Sequence, residues 1–227
     1  MSKSRIVLHL KPTEMQYIEQ ILFVIVLGVA VYFFAQKIIK VRRNIFLGKK
    51  ENINDRKPER WKMMTKVALG QSKMVVRPVA GFFHILIYVG FVLINIEVLE
   101  IVIDGVFGTH RVLSFLGPVY DAAIGFFEIL AALVFIACVV FLGRRFISKI
   151  PRFHSKEMKG WATQDATYIL LIEIVLMVAL LKMNAVDQVL QSQGADHYVA
   201  AGSFPISQYL TGFFTGYSTS TLIVMER

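Results

Sequence analysis

The chain has 227 residues, of which 56% are hydrophobic and 18% charged, and its formal net charge is +9. Long apolar runs at that density exclude an ordinary soluble domain and define an integral membrane protein. The single cysteine, Cys138, excludes an internal disulfide and any Cys-ligated zinc or iron–sulfur centre built by this chain alone.

The positive charge is not spread as a nucleic-acid surface would need. Thirteen Lys/Arg fall between Lys37 and Arg77, and six between Gly143 and Gln164. The stretch from Asp104 to Pro118 carries only Arg111, and Val186 to Gln208 carries none. Basic segments therefore alternate with apolar spans, which is the positive-inside pattern. It fixes the expected topology, with the N-terminus outside, and no aromatic-interleaved basic motif argues for nucleic acid.

Met1 to Gln20 is mixed, with Lys3, Arg5 and Lys11 among Ile6, Val7 and Leu8, and suits a membrane interface. It lacks the small-residue cleavage site of a signal peptide. The first span is expected over about residues 21–39. A long inner loop follows, in which Trp61, Met64, Val67 and Ala68 have the spacing of a short amphipathic helix. The second span, 78–103, opens on Pro78, a residue suited to the first helical turn. It ends in a polar cluster of Asn95, Glu97, Glu100 and Asp104. The third, 119–142, places Asp121, Gly125, Glu128 and Ala132 on one face, a small polar stripe made for a packed interior. The second inner loop contains His154 and Trp161. The fourth span, 165–184, aligns Glu173, Met177 and Asn184. Lys182, near its outer end, is placed to snorkel or to pair with an acid.

The segment 207–227 is uncharged until Glu226 and rich in Gly, Ser and Thr. It reads as an outer segment or the start of an incomplete fifth span. The expected fold is all-α: one membrane domain over 1–227, four spans in a helical bundle, and a fifth that is incomplete or missing. That pattern is what the N-terminal part of a longer protein would present.

Of the five histidines, only His84 lies within an apolar span. An ionisable side chain at that depth faces a partner, a cavity or a cofactor. Arg77, Gly81, Tyr88, Phe91 and Asn95 share its helical face. Gly81 removes bulk one turn from the imidazole, and Arg77 stands at the inner edge, where it would meet a propionate. This is the environment an axial haem ligand requires. A histidine hydrogen-bonded to a neighbouring helix has the same sequence signature. His9, His110, His154 and His197 all fall in loops or tails, so a second axial imidazole at that depth is not in this chain.

Gly70-Gln71-Ser72-Lys73-Met74, Arg77-Pro78, Gly81-Phe82-Phe83-His84, Tyr88-Val89-Gly90-Phe91 and Asn95-Ile96-Glu97-Val98-Leu99-Glu100 carry a family resemblance. Phe107-Gly108-Thr109-His110-Arg111, Phe127-Glu128-Ile129-Leu130 and His154-Ser155-Lys156-Glu157-Met158 extend it. From about Trp61 to Arg227 the chain resembles the membrane portion of bacterial quinone-linked iron–sulfur oxidoreductases. These are related to the cytochrome b (gamma) subunit of nitrate reductase and to the heterodisulfide reductase membrane subunit. The resemblance implies a bacterial inner-membrane, multi-pass electron-transfer module of the respiratory chain. It would bind haem b and link the quinone pool to cytoplasmic iron–sulfur clusters, held by a partner subunit or a following domain.

Three departures stand out: no fifth span with histidines, Ile94 and Asn95 where relatives carry a second span-two histidine, and no cluster-binding cysteines. At most one haem b is expected, with His84 as its iron ligand, Arg77 and Gly81 beside it and the second ligand from elsewhere. The chain would form part of a quinone-dependent oxidoreductase without being catalytic alone. Glu97, Glu100 and Lys182 are candidates for a quinone or proton site; a hydrated rim with ion pairs is the alternative. Glu128 and Glu173 are candidates for mid-membrane proton relay, or for interhelical hydrogen bonding as neutral acids. A non-redox membrane scaffold or assembly subunit is the competing function.

Overall fold

In the computed structural model, residues 12–49, 51, 53–74, 76–148 and 161–226 are described. The N-terminal stretch 1–11, with its expected interfacial character, and the loop 149–160, with His154, lie outside the described residues. The helices are α1 (Pro12–Phe46), α2 (Lys57–Met64), α3 (Pro78–Phe107), α4 (Pro118–Phe146), α5 (Trp161–Ser192) and α6 (Thr219–Glu226). Among the described residues there is no strand. Four stretches, Tyr17–Phe46, Pro78–Phe107, Pro118–Phe146 and Gln164–Ser192, are long and apolar enough to cross a bilayer. At ~1.5 Å rise per residue each exceeds the ~30 Å hydrocarbon thickness.

The chain forms two units, Met1–Lys57 with Glu100–Val112, and Pro58–Leu99 with Leu113–Arg227. In the first, α1 meets the last turns of α3. Gln20 Nε2 donates to the Val106 carbonyl at 2.5 Å. A Cβ on Gly105 would lie 2.6 Å from the Phe23 ring, so only glycine permits this approach. Elsewhere α1 presents large apolar side chains outward, Phe33 and Phe34 among them. Asp104 organises the turn that ends α3. Its carboxylate accepts from the Thr109 hydroxyl at 2.5 Å, the Arg111 N–H at 2.7 Å and the Val112 N–H at 3.2 Å. Those bonds hold Arg111 at a positive φ of 49°, a conformation costly for a residue with a Cβ.

The second unit is built on α4. Gly117, at φ 57°, and Pro118 open that helix, and Arg144 and Arg145 close it, where cations favour the helix C-terminus. Ile124, Ala131, Val134, Ala137 and Cys138 are all nearly or fully buried. On α3, Phe83 stacks edge-on against Phe141 of α4, with centroids 6.2 Å apart. A Cβ on Gly90 would fall 2.4 Å from Val134 Cγ2. Ile94, 4% exposed, continues that stripe. Small residues let membrane helices approach closely enough for dispersion to hold them.

The helix α5 continues to Ser192, eight residues past the end expected at Asn184. The reason is tertiary: Val186, Val189 and Leu190 are buried with Leu222 of α6. Thr219 donates to Gln193 Oε1 at 2.9 Å, so α6 starts beside the end of α5 and runs back along it. Two 3-10 turns, Ser207–Tyr209 and Thr211–Phe213, precede α6. The segment expected to be a short amphipathic helix is α2 followed by a wider π turn, Thr65–Leu69. Trp61 stands exposed on it.

Candidate functional site

Two regions of the second unit gather the chemistry-bearing side chains. The first is the Pro78 end of α3. Phe83, Gly90, Ile94 and Glu97 form its stripe toward the rest of the unit. His84 follows Phe83 by one residue, and so lies ~100° around the helix from that stripe. The imidazole is half-buried, as is Tyr88, whereas Phe91 and Asn95 on the same face are exposed. Asn95 Nδ2 turns back to the Phe91 carbonyl instead of reaching another helix. Gly81 is buried, and its N–H donates to the Arg77 carbonyl at 2.6 Å. Arg77 is exposed. The His84 face is thus exposed at Arg77, Phe91 and Asn95, half-covered at His84 and Tyr88, and buried at Gly81, one turn before the imidazole.

The second region holds the buried acids. Glu128 is wholly buried. Its Oε2 accepts the Ile206 N–H at 3.0 Å and the Ser207 N–H at 3.1 Å. Its Oε1 meets the Ser207 hydroxyl, which also lies 2.9 Å from the Leu181 carbonyl. Rotation of that one hydroxyl satisfies the group in either charge state. An ionised Glu128 accepts a hydrogen bond from the Ser207 hydroxyl; a neutral Glu128 donates to Ser207, which then donates to the Leu181 carbonyl. One turn and two turns earlier on α4 the same segment is gripped again. Ser203 packs against Gly125, where a Cβ would sit 3.2 Å from its Oγ. The Gly202 N–H donates to Asp121 Oδ1 at 2.6 Å. The polar stripe on α4 therefore binds main chain of 202–207.

Glu97 is 3% exposed and accepts from Asn184 Nδ2 of α5 at 3.4 Å. Lys182 is exposed; two residues from Asn184 amount to ~200° of helix, so it points away from that contact. Glu173 is half-buried on α5. Glu100, 4% exposed, belongs to the first unit with Asp104 and Arg111. Further polar groups complete the second unit at the Ser192 end of α5. Asp187, 2% exposed, accepts from Gln191 Nε2 at 3.2 Å, and Gln191 also donates to the Ala201 carbonyl at 3.1 Å. The Tyr198 hydroxyl donates to Glu226 Oε2 at 3.1 Å. Burial, followed by the Glu226 and Asp187 carboxylates, pushes the Tyr198 phenol far above its ordinary range. The sequence aligns Asn184 with Glu173 and Met177, but it does not mark Ser207, Asp187 or Tyr198 as site residues. The only signal for Ser207 is the uncharged run that contains it.

Among the described residues no three His, Cys, Asp or Glu side chains converge as a metal-binding group. The fold and these buried acids define a multi-pass helical membrane protein. The chain is similar to a protein of Bacillus subtilis (strain 168) named "Probable iron-sulfur-binding oxidoreductase FadF", with 35% identity over 132 residues. That match covers 58% of this chain and 18% of the relative, so the matched stretch spans about a fifth of the relative's length. No protein-family model and no solved structure matches the chain.

Proposed function

We propose that this chain is a membrane electron-transfer module of a quinone-dependent oxidoreductase, set N-terminus-out in a bacterial inner membrane. It binds one haem b through His84 and links the quinone pool to iron–sulfur clusters on the cytoplasmic side. The observation that carries the reading is the one histidine within an apolar span, half-buried on a face of α3 that is exposed at Arg77, Phe91 and Asn95. Likeness to a relative named as an iron–sulfur-binding oxidoreductase supports it.

The residues fit the group. The half-buried His84 imidazole would hold the iron, exposed Arg77 would offer a guanidinium to a propionate, and Gly81, itself buried, adds no side chain one turn before the imidazole. Haem, when bound, supplies one-electron redox chemistry. A second ligand to the iron would come from outside these 227 residues, since no other histidine among them lies in an apolar span. With one cysteine, Cys138, the iron–sulfur clusters belong to a partner subunit or a following domain. Glu97, hydrogen-bonded to Asn184, is the acid we assign to proton exchange with the quinone. Glu173 serves as a second candidate proton carrier, and Glu100 and Lys182 as charges near the outer rim. For Glu128 we favour anchoring over relay, because two main-chain N–H groups already depend on it.

The test is haem content by pyridine haemochrome in native membranes, comparing wild type with His84→Ala and His110→Ala. Loss confined to His84→Ala supports the assignment. Equal haem in all three removes His84 from the site.

A further inference from the structure

The contacts of Glu128 have a consequence for the chain between α5 and α6. We propose that residues 203–217 re-enter the bilayer as a lipid-facing hairpin, anchored from inside by Glu128 and Asp121, with Tyr209 and Phe213 against acyl chains.

Depth comes first. The helix α4 has 29 residues, or ~43 Å at ~1.5 Å each, against ~30 Å of hydrocarbon. Sharing the excess leaves ~7 Å of helix beyond each boundary. Glu128 lies ten residues from Pro118, ~15 Å along the axis, and so ~8 Å inside the hydrocarbon. The helix α5 gives the same answer. Leu181, whose carbonyl Ser207 also meets, is eleven residues from Ser192, ~16 Å along the axis. Two helices thus place Ser207 at the same level below the boundary.

Irregular backbone at that level is stable only where protein satisfies its polar groups. Most of the segment's N–H groups meet that condition. The Ile206 and Ser207 N–H groups go to Glu128, and the Gly202 N–H goes to Asp121. The 3-10 turns close the Tyr209, Leu210, Phe213 and Phe214 N–H groups on the segment's own carbonyls. The hydroxyls of Thr211 and Thr215 do likewise, bonding to Gln208 and Gly212 carbonyls. Composition agrees, since between Asp196 and Glu226 there is no Lys, Arg, Asp or Glu. The large side chains left facing outward are apolar or amphipathic, Tyr209 79% exposed, Phe213 73% and Tyr217 47%, while exposed Gln208 bonds back to the Pro205 carbonyl at 3.0 Å. Aromatic rings of this kind settle at the boundary between headgroup and acyl chain. Lipid is therefore the occupant of this surface.

The experiment uses the full chain in lipid nanodiscs, in a Cys138→Ala background, with a nitroxide attached to Tyr209→Cys or Phe213→Cys. Collision with oxygen is compared with collision with a water-soluble nickel chelate. Val175→Cys, mid-α5 and 65% exposed, is the lipid control; Asp196→Cys is the aqueous control. The expected oxygen-to-nickel ratio at position 213 is several-fold above that at 196 and close to that at 175. A ratio at 213 nearer to that at 196 overturns the proposal. Adding Glu128→Ala should move the 213 ratio toward the aqueous value. If that variant does not fold, the ratio in the Glu128 protein still decides.

Discussion

Replacing Glu128 with alanine removes one acceptor from three donors: the Ile206 N–H, the Ser207 N–H and the Ser207 hydroxyl. The hydroxyl keeps the Leu181 carbonyl at 2.9 Å. The two N–H groups lose their acceptor, Ser207 with no exposure to solvent and Ile206 half-buried. Each buried donor left unmade costs ~1–3 kcal/mol, so the variant should lose ~2–6 kcal/mol. That is a large part of a stability on the order of 5–15 kcal/mol. At ~2–4 °C per kcal/mol for a chain of this size, the unfolding midpoint should fall by on the order of 10 °C. Glutamine is the informative comparison. Its carbonyl oxygen replaces Oε2, and its amide donates to Ser207, which then donates to Leu181. Glu128→Gln should therefore stay within ~1 kcal/mol of wild type. The assay is thermal unfolding in detergent, followed by circular dichroism. An alanine variant as stable as wild type would refute the reasoning, as would a glutamine variant as damaged as alanine.

Gly90→Ala should destabilise by ~1–3 kcal/mol through overpacking against the stiff Val134 side chain; adding Val134→Ala should recover much of the loss in the same melt. Tyr198 should remain protonated in the folded protein well past the ordinary tyrosine range of ~10. Its folded pKa is raised, so its contribution to stability is full below ~10 and is lost as pH rises beyond it. Tyr198→Phe should flatten the alkaline limb of stability against pH; an unchanged limb would show that the phenol is not the cause. Asp104→Ala strips three acceptor contacts from the turn after α3 and should cost ~1–3 kcal/mol, with faster amide exchange at Arg111 and Val112 as the local sign.

How much of this is legible in the sequence follows from the range of each interaction. The α4 stripe is readable, because Asp121, Gly125 and Glu128 repeat with the helix. Its partner is not, because Gly202, Ile206 and Ser207 lie in irregular chain some eighty residues away. The four spans can be read from hydropathy, but the end of α5 cannot: Asn184 and Asp187 look like an exit from the membrane, and only burial under Leu222 keeps the helix running to Ser192. Glu97 shows the same limit. Charge alone suggests Lys182 as its partner, whereas the contact is Asn184, nearly opposite on the helix. His84 is singled out by sequence alone, and the structure adds that its face is left open by Phe91 and Asn95.

The central claim is most directly tested by an optical spectrum of the protein purified together with its native partners from haem-supplied membranes, air-oxidised and then reduced with dithionite. A sharp reduced-haem band in wild type, missing from a folded His84→Ala variant, is the result this account predicts. A folded wild-type protein with no such band would contradict it and leave a membrane scaffold as the function.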